Sequence, residues 1–169
     1  MPTLFLLRHA KTEASHSRGD KARELTDRGR ADARAVGEQL AGRGIELVLC
    51  SSAVRTRQTV EELGLAARVE VMDALYASDV ETMLQRIGEV DESVENLLVV
   101  GHSPTIPALA AELVWATQRA QADDLACDFP TAAWAEITVE GSWQELAASR
   151  AGAESSGVRL REVHRSRDL

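Results

Sequence analysis

Thr3-Leu4-Phe5-Leu6-Leu7-Arg8-His9-Ala10 says more about the architecture of this chain than any other segment. Its first five residues form a short, unbroken apolar run, which is typical of a strand covered on both faces. Such a strand belongs inside an α/β sheet, and its carboxyl end opens on the crevice where these sheets bind ligands. Arg8 and His9 follow at that end. A strand that simply finishes in two solvated polar residues would look the same, so the rest of the chain must decide.

Strand-like and helix-like patterns alternate along the rest of the chain. Further strands are predicted at 45–50, 69–71, 97–100, 132–139 and 158–163, and helices at 26–41, 53–63, 79–87 and 104–115. Thr26 is the predicted N-cap of the first helix, Ser51-Ser52 can cap the second, and Pro104 suits a first helical turn. This alternation predicts parallel βαβ units with helices on both faces. The fold class is therefore α/β, a single three-layer αβα domain over 1–169 with a mostly parallel central sheet.

Composition sets limits on the function. The 169 residues suit one domain, and the net charge of −8 argues against non-specific nucleic-acid binding. No apolar run is long enough to cross a membrane, and the start lacks a secretory signal pattern, so a cytoplasmic protein is expected. Cys50 and Cys127 lack metal-site spacing and are predicted to be buried free thiols. Nothing indicates an oligomer, which leaves a monomer as the default, and the segment 142–157 is predicted to be a surface excursion.

Polar and cationic residues follow three of the predicted strands. Arg8 and His9 end the first, Arg55 lies in the helical turn after the second, and His102 follows Gly101 at the end of the fourth. If these strands are neighbours, one crevice holds two guanidinium groups and two imidazoles beside a helix N-terminus. Arginine forks match phosphoryl oxygens, and backbone N–H groups at a helix start also attract anions. The sequence therefore predicts an anion site.

A histidine among arginines can do more than bind a phosphoryl group. It can attack phosphorus and become transiently phosphorylated, while the arginines stabilise the charge on the transferred group. No metal or other cofactor is expected, because the guanidiniums supply the positive charge. Metal ligation by His9 and His102 is the competing interpretation. It is disfavoured because Arg8 would repel a cation and no carboxylate sits at ligand spacing.

Four sequence blocks resemble the histidine phosphatase superfamily, which contains phosphoglycerate mutases and acid phosphatases. Arg8-His9-Ala10 is similar to its Arg-His-Gly signature, with alanine in place of the usual glycine. The other blocks occur in the family's order, and they are Leu25-Thr26-Asp27-Arg28-Gly29, Ser51-Ser52-Ala53-Val54-Arg55-Thr56-Arg57-Gln58-Thr59 and Val100-Gly101-His102-Ser103-Pro104. Together they cover about two-thirds of the chain. Its short length and the Phe129-Pro130-Thr131-Ala132-Ala133 segment look most like the SixA-type phosphohistidine phosphatase branch.

The resemblance implies a phosphoglycerate mutase-like fold and assigns roles to named residues. His9 would be the nucleophile, Arg8 and Arg55 phosphate clamps, and His102 a further phosphate ligand. Ser103 replaces a common asparagine beside the site and is a candidate substrate-binding residue. In the polar loop 11–24, Lys11, Thr12, Arg18 and Lys21 are best explained as a solvated loop, whereas Arg23 is a candidate for contact with the phosphate.

The nature of the phosphorylated substrate depends on a proton donor. Members that hydrolyse phosphate esters resemble one another in a glutamate shortly after the third strand, and Ala77 stands at about that place here. Asp79 is the remaining candidate acid, although a carboxylate there usually just caps a helix. An alkoxide leaving group needs such a donor, whereas a phosphohistidine ring can take its proton from solvent. A protein bearing phosphohistidine is therefore the predicted substrate.

Two other functions stay open on the sequence alone. The first is a phosphatase or mutase of the same superfamily that acts on a small phosphorylated molecule. The second belongs to another class, an inactive domain that only binds phosphorylated partners. The second is disfavoured because every presumed catalytic position is occupied. Comparing turnover of phosphohistidine peptide with that of phosphoglycerates separates the first from the main prediction, and trapping phosphate on His9 tests the second.

Overall fold

The computed structural model describes residues 1–149 and 157–165, within which the chain forms six strands and six helices. In chain order they are β1 (Thr3–Arg8), α1 (Asp27–Leu40), β2 (Leu47–Ser51), α2 (Val54–Leu63), β3 (Arg68–Met72), α3 (Val80–Gly88), β4 (Asn96–Gly101), α4 (Thr105–Val114), α5 (Arg119–Cys127), β5 (Trp134–Val139), α6 (Trp143–Ala148) and β6 (Val158–His164). Short 3-10 turns occupy Asp20–Ala22 and Asp73–Leu75. The predicted α/β class is confirmed.

The strands form one sheet in the order β3-β2-β4-β1-β5-β6. β1, β2, β3 and β4 pair in parallel, whereas β5 is antiparallel to β1 and β6 is antiparallel to β5. A mostly parallel sheet was predicted and is confirmed, and the antiparallel strands are the last two of the chain. Two helices, α4 and α5, connect β4 to β5. They bring the chain back to the side of the sheet where β1 and β4 end, so β5 starts there and runs antiparallel to β1.

The helices cover the sheet on both faces and bury two separate cores. Side chains of α1 and α2 pack on one face, and those of α3, α4, α5 and α6 pack on the other. Along β1, Leu4 and Leu6 point into the larger core, whereas Phe5 and Leu7 point into the smaller one. Successive side chains of a strand alternate between faces, so a strand buried on both must be apolar at every position. This explains the unbroken apolar run at the chain start.

α1 follows the predicted pattern closely. The Thr26 side chain accepts a hydrogen bond from the Gly29 N–H group, as an N-cap does, and Ala33, Val36 and Leu40 are buried. Gly37 is buried as well, and a Cβ atom there would lie 2.1 Å from the carbonyl oxygen of Leu63. The absence of a side chain at Gly37 therefore lets α1 cross the end of α2 at close range.

Two predictions about where helices begin are wrong. Ser51 is the last residue of β2, and α2 has Ala53 as its N-cap with no side-chain hydrogen bond. Pro104 precedes α4 as its N-cap instead of occupying the first turn. Ser51 does not cap α2, because its hydroxyl lies within hydrogen-bond distance of a histidine ring in the crevice described below.

Residues 142–149 do not form the surface excursion that was predicted for 142–157. Trp143 is fully buried and its Nε1–H donates to the carbonyl oxygen of Val94 at 2.8 Å. It opens α6, whose Ser142 N-cap accepts from the Glu145 N–H group, and α6 packs against α3. Residues 150–156 lie outside the described part of the chain. A helix of six residues anchored by one tryptophan is too short to show a clear period in the sequence.

The two cysteines differ. Cys50 is a buried free thiol, as predicted, and burial raises its pKa to about 12. Cys127 is also free but is exposed at the end of α5, so the prediction of burial is wrong there. Among the described residues, none of the helices combines the length and apolar character that crossing a membrane requires.

Candidate active site

Three strand ends lie side by side at the carboxyl edge of the parallel strands. Arg8 at the end of β1 is in register with Gly101 at the end of β4, and Val100 is in register with Cys50 of β2. The residues just beyond these positions, His9, Ser51 and His102, therefore meet at one crevice. The sheet order, with β4 between β1 and β2, brings the segments together.

His9 is almost completely buried and its ring is fixed by the main chain. Its Nδ1 atom lies 2.8 Å from the carbonyl oxygen of Ala10, and a carbonyl only accepts, so Nδ1 carries the proton. The Nε2 atom then holds the lone pair. Burial lowers the pKa of His9 to about 3, although the Ala10 bond opposes this, and the charges of Arg55 and Arg8 add to the lowering. His9 is therefore a neutral imidazole at neutral pH.

His102 packs beside His9, with ring centroids 5.4 Å apart. Its Nε2 atom lies 2.7 Å from the Ser51 hydroxyl oxygen, and its buried Nδ1 atom has no hydrogen-bond partner among the described residues. Burial and then the charge of Arg55 lower the pKa of His102 to about 4, whereas Asp20 opposes them. Nδ1 is therefore the ring nitrogen of His102 that no described protein group occupies.

Arg8 is the last residue of β1, and its side chain contacts the segment that leads into β5. One terminal nitrogen, Nη1, donates to the carbonyl oxygen of Phe129 at 3.1 Å. Its Nε atom is buried and has no hydrogen-bond partner among the described residues. Arg8 also lines a cavity of about 290 Å³ together with Ser103, Phe129 and Pro130. A buried guanidinium N–H group without a protein acceptor is what an anion site requires.

Arg55 is 7% exposed and is held by one residue of the polar loop. Its Nη1 donates to the Asp20 carbonyl oxygen at 2.8 Å, and its Nη2 donates to the Asp20 carboxylate at 3.1 Å. The hydroxyl of Tyr76 donates to the same carboxylate oxygen at 2.7 Å, and the Tyr76 ring meets the His102 ring edge-on. Sequence reasoning did not find Asp20 or Tyr76. Only the flanking Gly19, a pivot in the loop, was a signal for the first.

The candidate Arg23 lies at this side of the crevice but bonds within its own loop. It donates to the Thr12 hydroxyl at 2.6 Å, the Glu13 carbonyl at 3.0 Å and the Asp20 carboxylate at 2.9 Å. Its charge still contributes to lowering the pKa of His102. Arg23 is therefore close enough to act on the site electrostatically, while its hydrogen bonds go to the loop.

The other loop residues are mostly solvated, as expected. Lys11 and Arg18 are exposed, and Lys21 pairs with the exposed Asp73 at 3.1 Å. Lys11 contributes its main chain, since its carbonyl oxygen accepts from the N–H group of Thr26 at 3.0 Å. A Cβ atom on Gly29 would lie 2.1 Å from that same carbonyl oxygen. The glycine of the Leu25–Gly29 block thus allows α1 to hold the loop closely.

The remaining two candidates occupy different places. Ser103 is exposed and lines the cavity beside Arg8. Asp79 is the N-cap of α3, and its carboxylate accepts from the N–H group of Thr82 at 2.8 Å, which lowers its pKa. A carboxyl group that is more acidic than usual is ionised at neutral pH and cannot donate a proton there. The capping role that the sequence pattern favoured is what the structure shows.

The described residues include one group with metal-ligand geometry, away from His9 and His102. Glu13, His16 and Glu24 place one ligand atom each within 4.8 Å of one another. The His16 Nδ1 atom accepts from the N–H group of Arg18 at 3.0 Å, so the proton of the neutral ring is on Nε2. Its Nε2 atom lies 4.0 Å from a Glu24 carboxylate oxygen, and the Glu13 carboxylate accepts a hydrogen bond from the Glu24 N–H group at 2.7 Å.

The lowered imidazole pKa values predict how stability depends on pH. Unfolded histidines bind protons near pH 6.5, whereas His9 and His102 bind them only near 3 and 4. Between these values the unfolded state holds more protons, so the free energy of unfolding falls as pH falls. We expect a loss of roughly 2 kcal/mol from His9 between about pH 7 and about pH 5.

Urea unfolding of the ligand-free protein at several pH values measures this effect. His9→Gln should show a shallower decline than the unchanged protein, because the group that titrates has been removed. The depressed pKa of Asp20 acts in the same direction but only below about pH 4, where its unfolded form begins to bind protons, so the two effects separate. Equal slopes for the two proteins would contradict the prediction.

Comparison with known proteins identifies the family. A profile of the histidine phosphatase superfamily (branch 1) matches residues 4–86, a range that includes His9 and Arg55. Phosphohistidine phosphatase SixA of Escherichia coli (strain K12) is 32% identical over 120 residues, covering 65% of this chain and 73% of that protein. The chain belongs to the histidine phosphatase superfamily. The expectation drawn from the four sequence blocks is thus confirmed.

Other known proteins are similar to this histidine phosphatase over most of its length. An uncharacterised protein of Mycobacterium tuberculosis (strain ATCC 25618 / H37Rv) is 35% identical over 144 residues, 83% of this chain and 91% of that protein. A solved structure assigned as phosphohistidine phosphatase SixA from Nakamurella multipartitia superposes with a TM-score of 0.83 at 34% identity, covering 96% and 95% of the chains. A SixA structure complexed with tungstate shares the fold, with a TM-score of 0.77 at 24% identity and 98% coverage of both. This histidine phosphatase belongs to the SixA-type branch.

Proposed function

We propose that this histidine phosphatase removes phosphate from phosphohistidine on a protein partner, through transient phosphorylation of His9 and without a metal ion. The observation that carries the proposal is the state of His9. It is neutral, its Nδ1–H is fixed on the Ala10 carbonyl, and its Nε2 lone pair lies among the charges of Arg8, Arg55 and a second imidazole. A neutral, oriented imidazole in a cationic crevice is suited to attack phosphorus.

In the first step, the Nε2 atom of His9 attacks phosphorus and the bond between phosphorus and the substrate imidazole breaks. The departing imidazole nitrogen takes a proton from solvent and leaves as a neutral ring. Arg8 and Arg55 carry fixed positive charge beside the equatorial oxygens, where charge must be stabilised in phosphoryl transfer. In this proposal the Ser51 hydroxyl donates to the Nε2 atom of His102, and the Nδ1–H group of His102 donates to one of these oxygens.

In the second step, water attacks the phosphorus of phosphorylated His9. The bond between phosphorus and Nε2 breaks, inorganic phosphate is released, and the water proton leaves with the phosphate or to solvent. His9 returns to its neutral form with Nδ1–H still on the Ala10 carbonyl. The positive charge of the guanidiniums takes the part that a metal ion plays in other phosphoryl-transfer sites.

The choice of phosphohistidine over phosphate esters depends on proton donors. Ala77 has no acidic group, and Asp79 is ionised as a helix cap. Among the described carboxylates that contact the site residues, Asp20 has a pKa well below its usual range because Tyr76 and Arg23 donate to it. At neutral pH it gives up no proton. Loss of general acid catalysis costs an ester phosphatase about 10²–10⁴-fold but costs little when the leaving group is imidazole.

The cavity beside Arg8 agrees with a compact leaving group. At about 290 Å³ it is at the small end of ligand pockets, and it is lined by Ser103, Pro107 and Pro130 among others. Ala126 and Cys127 of α5 form part of its wall, a helix that sequence analysis did not find. Asp128 at the same cavity is paired with Arg165 at 3.2 Å. An imidazole side chain presented on a protein surface fits such a space better than a large ligand.

A substrate panel tests this proposal. We expect kcat/KM for a phosphohistidine peptide to exceed that for phosphoglycerates and sugar phosphates by at least about 100-fold. The assay follows phosphate release with and without a chelator, because activity that survives chelation supports a reaction without metal. Efficient hydrolysis of sugar phosphates with no turnover of phosphohistidine would instead favour the small-molecule phosphatase, and transfer between phosphoglycerates would favour a mutase.

A further inference from the structure

One loop residue, Asp20, makes an unusually complete set of contacts with the site. Its carboxylate accepts hydrogen bonds from Arg55, Tyr76 and Arg23 at 3.1, 2.7 and 2.9 Å. Its carbonyl oxygen also accepts from Arg55, at 2.8 Å. Arg55 is therefore gripped at two points by a residue that no sequence motif singles out.

The contacts with Asp20 use only part of the hydrogen-bonding capacity of the Arg55 guanidinium. A guanidinium has five N–H donors in a fixed planar fork, and Asp20 takes one on each terminal nitrogen. Asp20 leaves the Nε–H group and one N–H on each terminal nitrogen unoccupied by its own oxygens. Two contacts at one side of a rigid plane determine the direction of the other side, so Asp20 sets where those donors point without competing for them.

The same carboxylate reaches the second imidazole through Tyr76. The Tyr76 ring packs edge-on against His102 with centroids 5.8 Å apart, and Arg55 lies over the Tyr76 ring at 6.0 Å. Asp20 also opposes the effect of Arg55 on the pKa of His102. Its position is thus coupled to two groups that flank the phosphoryl site.

The backbone of the loop is built to present Asp20. Gly19 has a φ of +96°, a conformation that L side chains rarely adopt, and its carbonyl and N–H groups bond to Ala22 and His16. The tight turn that follows, Asp20–Ala22, directs the Asp20 carbonyl toward Arg55. No atom lies within 4 Å of the place where a Gly19 Cβ would stand, so the glycine serves the conformation and not the packing.

We propose that Asp20 is a positioning residue of the phosphoryl-transfer reaction, which orients the Arg55 guanidinium toward the phosphoryl oxygens. This inference rests on the proposed function, since it gives Arg55 the task of stabilising transition-state charge. Asp20 itself does not touch the phosphoryl group. It acts through Arg55, and its carboxylate reduces the positive charge of the crevice, so it favours orientation at the expense of ground-state anion affinity.

The two effects have opposite signs, which makes the proposal testable. In Asp20→Ala we expect kcat to fall about 10- to 100-fold, because a misplaced guanidinium stabilises the transition state poorly. The inhibition constant of inorganic phosphate should stay within about twofold of the unchanged protein or become smaller, because a negative charge near the anion has been removed. Asp20→Asn keeps an acceptor oxygen and the carbonyl contact, so it should recover most of kcat.

Asp73→Asn is the matched control. Asp73 also ties this loop to the 73–76 segment, through Lys21 at 3.1 Å. Asp73→Asn removes the same unit of negative charge, and no described contact of Asp73 involves Arg55. It should leave kcat within about twofold. Gly19→Ala is a second variant, in which backbone strain alone displaces Asp20, and it should lower kcat in the same direction as Asp20→Ala.

Phosphorylation of His9 is measured with two donors, a phosphohistidine peptide and phosphoramidate, a small molecule with a phosphorus–nitrogen bond. If the unchanged protein reacts only with phosphoramidate, the proposed substrate is wrong while the role of Asp20 is still decided by the variants. The Asp20 proposal is overturned if Asp20→Ala keeps its kcat, if Asp73→Asn loses as much, or if phosphate inhibition weakens in parallel with kcat. A protein that accepts phosphate from neither donor would overturn both proposals.

Discussion

Replacing His9 by alanine is expected to abolish phosphatase turnover, with a fall in kcat of at least about 10⁴-fold. Removal of a covalent nucleophile leaves only binding and electrostatic stabilisation, which support a low residual rate in comparable enzymes. His9→Gln should be equally inactive, because an amide fills part of the space but offers no lone pair able to attack phosphorus. The fold should survive, since both changes are at a strand end beyond the apolar run of β1.

Radiolabelled phosphate on the protein is the direct readout. The unchanged protein should carry an acid-labile, base-stable label that His9→Ala lacks. His164→Gln is the control, because His164 is stacked on Trp134 with ring centroids 4.4 Å apart and bonds to Glu162 in another part of the structure. It should keep both label and turnover. A label that persists in His9→Ala would assign the nucleophile to another residue. If the unchanged protein shows no turnover, a domain that only binds phosphorylated partners is favoured.

Replacing Arg8 by alanine is expected to lower kcat about 10²–10³-fold, the scale for loss of one preorganised donor to a developing charge. Arg8 is held by the Phe129 carbonyl, and its buried Nε–H group has no acceptor among the described residues. Arg8→Lys should recover little of this loss. A lysine brings the charge but not the planar fork, and it cannot bond the Phe129 carbonyl and a phosphoryl oxygen in the same geometry.

The matched control for Arg8→Lys is Arg30→Lys on α1. Arg30 also makes a single close contact through Nη1, to Glu62 at 3.2 Å, and it lies outside the crevice. Steady-state kinetics should show an unchanged kcat for Arg30→Lys and a large fall for Arg8→Lys. Thermal unfolding of both variants separates loss of function from loss of the fold. Full activity of Arg8→Lys would show that charge alone suffices at this position.

The site residues that could be predicted from the sequence are those that directly follow the predicted strands. An apolar run that must be buried on both faces places β1 in the middle of the sheet, and parallel pairing then brings Arg8, His9 and His102 to one edge. These inferences use only short-range patterns and the general rule that parallel sheets bind ligands at their carboxyl edge.

What could not be predicted depends on contacts between distant segments. Asp20 sits in a polar loop, and nothing in its neighbours indicates that its carbonyl meets Arg55, 35 positions later. Ser51 resembled a helix cap by type and place, yet its hydroxyl lies against His102 instead. α6 was missed because it has only six residues. α5 was missed because it has no side-chain cap and buries only Ala122 and Leu125, and the antiparallel direction of β5 followed from α5. In each case the local pattern was compatible with two structures, and tertiary packing chose between them.

The hydrogen bond from the His9 ring to the Ala10 carbonyl would also dictate the regiochemistry of the proposed covalent intermediate. With Nδ1 occupied by its proton and held at 2.8 Å from the main chain, phosphorus can bond only to the ring nitrogen remote from the backbone. The enzyme would therefore form a single isomer, the tele form, at every turnover. One carbonyl oxygen, supplied by the next residue in the chain, makes that selection.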